Sequence, residues 1–117
     1  MNEQIYEQKL DCIERRESCV EQLNNITNSL VDLQLNEHLS DEFRTELSKG
    51  KAEQIMRLRA LIESYDSMID GYDTMNENLL KKAEDSRDRV LGYYKRFNIK
   101  PSQETTDGFE SLINSFK

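Results

Sequence analysis

Asp66, Asp70, Gly71, Thr74 and Glu77 fall on positions 1, 5, 6, 9 and 12 of the twelve-residue calcium loop of an EF-hand, a spacing that wraps oxygens round a hard cation. Met68 stands at position 3, where an oxygen ligand is required, and Asp73 replaces the apolar residue of position 8. A divalent-ion sensor is therefore only a remote alternative. Read as a helix, Glu63, Asp66, Asp70, Asp73 and Glu77 step by three and four and form an acidic stripe on one face, with no basic residue between them. Such a stripe keeps a helix solvated or steers a basic partner surface.

Cys12 and Cys19 are seven residues apart. On a helix they share a face with Cα atoms about 10 Å apart, too far for a disulfide, which needs about 7 Å or less. No C-x-x-C pair occurs and His38 is the single histidine, so a zinc site lacks ligands and the cysteines are expected to be small core residues. His38 is a lone histidine in a polar loop, more than twenty residues from any aromatic-lined segment of the second helix, and the carboxylates are solvated, where general acids are least useful. The sequence presents no catalytic constellation and calls for no cofactor or metal. Lys81, Lys82, Arg87, Arg89, Lys95 and Arg96, with Tyr93, Tyr94 and Phe97, resemble the mixture used for single-stranded nucleic acid, but Glu84, Asp85 and Asp88 dilute it.

The composition behind these residues is that of solvated helices: 36% hydrophobic against 33% charged, with four Gly, one Pro and no Trp in 117 residues. A net charge of −7 opposes binding to a phosphate backbone, so nucleic acid is an unexpected partner. The apolar runs are far shorter than the roughly 20 residues of a membrane span, and Met1-Asn2-Glu3-Gln4 does not begin a signal peptide. The expected setting is a reducing cytoplasm, with signal-independent export left open.

Apolar residues from Ile5 to Leu33 recur at three-and-four spacing, which predicts a first helix over about 3–35. Ser40 is a good N-cap, followed by Asp41 and Glu42, which suit the positive end of a helix dipole. From Phe43 to Phe97 the apolar spacing is nearly unbroken, predicting a second helix of roughly 80 Å against roughly 45 Å for the first. The expected fold is all-α, an antiparallel helical hairpin or coiled coil over 1–98 with one long second helix. The alternative is a three-helix bundle that turns near Gly71, where Thr74-Met75-Asn76-Glu77 fits a capping box. Pro101 ends the second helix, 99–106 reads as a linker, and 107–117 forms a short amphipathic helix with Phe109, Leu112, Ile113 and Phe116 on one face.

The plan resembles, in shape, the small partners of bacterial type VII secretion substrates and the cytoplasmic chaperones of flagellar and type III export. The Trp-x-Gly turn of the first group is absent, as is its Tyr-x-x-x-Asp signal after Tyr93. The functional expectation is a non-enzymatic protein–protein interaction module, an adaptor, chaperone-like partner or small regulator. The alternative is a structural assembly subunit, of a phage or secretion system, that works by self-association. A continuous second helix outruns the first, so Met75, Leu79, Val90, Tyr94 and Phe97 are expected to form the interface of a homodimer or heterocomplex. Phe109, Leu112, Ile113 and Phe116 are expected to enter a partner's groove, or else to fold back on the bundle.

Overall fold

The computed structural model describes residues 1–117, and the fold is all-α. Helix α1 spans Glu3–Leu35, α2 spans Asp41–Arg96 and α3 spans Gln103–Asn114. No helix is long and apolar enough to cross a membrane. The chain divides into two compact units, one formed by Leu10–Ile69 and one by Met1–Lys9 with Asp70–Lys117.

The first unit is an antiparallel hairpin of α1 on the opening half of α2. Arg16 meets Asp66 at 2.5 Å, while Gln22 and Ile26 share a cleft with Gln54 and Leu58, so rising numbers on α1 face falling numbers on α2. The least exposed positions on α1, Cys12, Arg16, Cys19, Leu23, Ile26, Leu30 and Leu33, alternate steps of four and three. On α2 the matching run is Arg44, Ser48, Lys51, Ile55, Leu58, Ile62, Tyr65 and Ile69, the spacing of a coiled-coil seam. Both expected cysteines are buried and unpaired, and the sulfurs of Cys12 and Met68 lie 4.0 Å apart. The hairpin closes through polar contacts. Ser40 caps α2 by accepting from the Phe43 amide at 3.2 Å, and the Arg44 guanidinium donates to the carbonyls of Asn36 and Leu39. That guanidinium thus ties two carbonyls of the turn between α1 and α2 to the first turns of α2.

The second unit joins the start of α1, the closing half of α2 and all of α3. Asn2 caps α1, its side-chain oxygen accepting from the amides of Gln4 and Ile5. At the other end α2 stops in a Schellman motif: the Ile99 amide donates to the Tyr94 carbonyl at 2.8 Å, the Asn98 amide to Lys95 at 3.2 Å, and Asn98 adopts φ 54°. Pro101 comes only after that stop. Ser102 then caps α3 by accepting from the Thr105 amide at 3.2 Å, so residues 103–106 are helical and the expected linker shrinks to the turn before Gln103. Low intrinsic propensity at Thr105 and Thr106 hid this turn, and the cap overcomes it.

Helix α2 is unbroken through Gly71, which rules out the three-helix alternative. Gly71 keeps a negative φ and Tyr72 and Asn76 stay in phase with the face before them, so no turn resets the pattern. The long helix is nevertheless not left bare, because α3 folds back along it.

Candidate docking groove on the second half of α2

Asn76 is the buried polar residue of the structure, at 8% exposure. Its side-chain oxygen accepts from the Asn2 amide at 3.0 Å and its side-chain nitrogen donates to the Phe116 carbonyl at 2.9 Å. One side chain on α2 therefore fixes both the beginning of α1 and the end of α3, and the amino group of Met1 contacts the main-chain oxygen of Lys117 at 2.6 Å. At this point the low-exposure positions of α2 run Tyr72, Asn76, Leu80, two steps of four together, before Ala83, Arg87, Val90 and Tyr94. Two successive fours are the stutter that turns a seam to a new direction, and it coincides with the change of covering helix from α1 to α3.

The amphipathic cluster expected to bind a partner is placed against the chain itself. Ile113 is 3% exposed, Phe109 and Phe116 are half-buried, and only Leu112 stays open, at 46%. The expectation that Met75 and Leu79 lack an intrachain neighbour is corrected, since α3 supplies one. Leu79 and Phe116 border two adjoining clefts. The first, of about 340 Å³, adds Ile5, Gln8 and Met75; the second, of about 240 Å³, adds Lys82, Ser86 and Leu112. Farther along the same helix Val90, Tyr93, Tyr94, Phe97 and Ile99 line an almost wholly apolar cavity of about 190 Å³. Phe97 is 67% exposed there, while Val90 and Tyr94 are half-buried. The two clusters that are separate in the sequence, one on α2 and one on α3, thus meet around Leu79, which shares its clefts with Phe116 and Leu112.

The acidic stripe is split by its neighbours. Asp66 pairs with Arg16, and Asp73 with Lys9 at 2.7 Å, whereas Glu63, Asp70 and Glu77 have no ion-pair partner. Residues 66–77 are helical rather than looped, so Asp66 and Glu77 lie about 16 Å apart along the axis and cannot converge on one cation. Lys9 and Arg16 were not anticipated as inward residues. The signal was present: each falls on the apolar spacing of α1, between Ile5, Cys12 and Cys19, and they stand seven apart, as do Asp66 and Asp73. On α1, Asp11 lies 3.1 Å from Arg15 and holds the pKa of its guanidinium above the ordinary value, with Tyr65 adding to the effect.

The basic residues beside the groove contrast with these. Arg87 is taken up by Asp88 at 3.0 Å, but Lys82, Arg89 and Arg96 are exposed and meet no carboxylate. They step by seven along one edge of the Met75–Leu79–Tyr93 line. An apolar channel with a cationic edge can hold an amphipathic helix, burying its apolar face and pairing its charged edge. No known protein family, curated protein or solved structure matches the chain.

Proposed function

We propose that this chain is a non-enzymatic helical interaction module that works by burying a helix of another chain on the second half of α2. The observation that carries the reading is the apolar surface from Met75 to Phe97: Met75, Leu79, Tyr93, Phe97, Ile99 and Leu112 all remain at least one-third exposed. Clustered apolar surface of this kind is unusual on a protein that works alone and is a common mark of a docking site.

The test is a pull-down from native lysate with the wild-type chain and with Leu79→Glu/Phe97→Glu, followed by mass spectrometry. A partner captured by the wild type and lost by the variant, with helical circular dichroism preserved, supports the module. A set of captured proteins unchanged by the substitutions sinks it. The second reading, an assembly subunit, rests on the same exposed surface; open-ended oligomers in light scattering would favour it over a discrete complex.

A further inference from the structure

We propose that the helix received by this groove is α1 of a second copy of the same chain, lying parallel to α2. The inference rests on the interaction-module reading and names the occupant of that site. It starts from two uncovered surfaces of opposite charge. Over the first two-thirds of α1, Tyr6, Leu10, Ile13 and Val20 fall on a face adjacent to the inward one, and Tyr6 is 53% exposed. Glu3, Glu7, Glu14, Glu17 and Glu21 follow one edge of that face, while the cations at its other edge, Lys9 and Arg16, are held by Asp73 and Asp66 of the same chain and Arg15 lies on the opposite side at 100° per residue. The groove face of α2 from Met75 to Phe97 is edged by Lys82, Arg89 and Arg96; Glu77, Glu84 and Asp88 fall away from it, and Asp85, which lies beside that edge, forms no ion pair with any of the three.

The spacing then selects one register. Glu7, Glu14 and Glu21 step by seven, and Lys82, Arg89 and Arg96 step by seven, so an alignment that brings the first pair together brings all three. The direction follows from handedness. Viewed from each helix's N-terminus, the carboxylates lie clockwise of the apolar stripe on α1, and the cations lie anticlockwise of the stripe on α2. Edges of opposite hand meet when two facing helices run the same way, so the docked α1 is parallel to α2. A symmetric contact of two grooves is disfavoured, because it would bring Lys82, Arg89 and Arg96 of each copy toward the other's cations. A nucleic-acid strand would satisfy the cations but not the almost wholly apolar lining at Val90, Tyr93 and Phe97, and the net charge of −7 opposes it.

The experiment is light scattering behind size exclusion at high micromolar concentration, on the wild type and two triple variants. The wild type should be a dimer or a larger discrete species. Lys82→Glu/Arg89→Glu/Arg96→Glu and Glu7→Lys/Glu14→Lys/Glu21→Lys should each be monomeric when alone, and an equimolar mixture of the two should re-associate. Carbodiimide crosslinking of the unmodified wild type gives a second readout independent of how the variants fold: an intermolecular Lys82–Glu7 link is expected. A wild type that stays monomeric overturns the proposal and leaves the interaction-module reading to its own pull-down. So do variants that associate like the wild type, a mixture that stays monomeric, or an oligomer without the Lys82–Glu7 link. An oligothymidylate that binds the wild type and blocks association at Lys82, Arg89 and Arg96 would also overturn it, in favour of nucleic acid.

Discussion

At the scale of single residues, Asn76 has the clearest consequence. Its two hydrogen bonds satisfy an amide at the start of α1 and a carbonyl at the end of α3. Asn76→Ala should cost about 1–3 kcal/mol, because it leaves both main-chain groups short of a partner; urea denaturation measures this, and an unchanged midpoint would show that water replaces the side chain freely. The carboxylates of 66–77 lead to the opposite expectation. With Asp66 and Asp73 held by Arg16 and Lys9 and the backbone helical, millimolar calcium should leave the melting temperature unchanged, since a ligand without a site contributes nothing to the folded state. A calcium-dependent rise abolished by Asp66→Asn would contradict the helical geometry. The heptad-spaced Lys9 and Arg16 are residues whose role the apolar pattern alone conceals: they sit at inward positions and reach outward to carboxylates, burying their stems along the seam.

At the scale of elements, Gly71 and α3 are the informative pieces. A Cβ built at Gly71 meets nothing within 4 Å, and its backbone is that of an ordinary α-helical residue. Gly71→Ala should therefore stabilise the chain by about 0.5–1 kcal/mol in thermal or urea unfolding, by reducing the freedom of the unfolded chain. A destabilisation would mean that another helix packs closely against this point. Helix α3 is too short to persist alone in water, so its order depends on Ile113 and its neighbours docking on α2. Ile113→Ala should cost about 2 kcal/mol or more and release the α3 amides to hydrogen exchange while those of Leu10–Ile69 stay protected. Equal loss of protection in both units would make the molecule a single cooperative block.

At the scale of the whole molecule, the limiting quantity is the core. Ile5, Cys12, Cys19, Leu58, Ala83 and Ile113 are buried, yet no side chain is completely enclosed. Two-helix contacts bury one stripe of each helix and leave the flanking apolar residues wet. Folding and association should then be coupled, so the melting temperature should rise with protein concentration, as mass action requires when the folded state alone associates. Leu79→Glu should remove that dependence and lower the plateau. A melting temperature independent of concentration would mean that the intrachain contacts suffice.

The sequence by itself determined the helices. Residues 3–35 and the start at Asp41 follow from apolar spacing and the Ser40 cap, both local signals that a helix reads within a few turns. It also fixed the facing of Cys12 and Cys19, because a seven-residue step returns to the same side. What tertiary structure alone decided is where unequal helices find cover. Periodicity shows that Met75, Leu79, Val90, Tyr94 and Phe97 share a stripe, but it is the same whether another molecule or α3 lies on it. The Schellman turn at Asn98, the cap at Ser102 and the bridge through Asn76 send α3 back along α2, joining Leu112 and Phe116 to Leu79 in one groove. The bond from Asn76 to Phe116 links residues forty positions apart, and no local spacing encodes which distant helix will satisfy an exposed face.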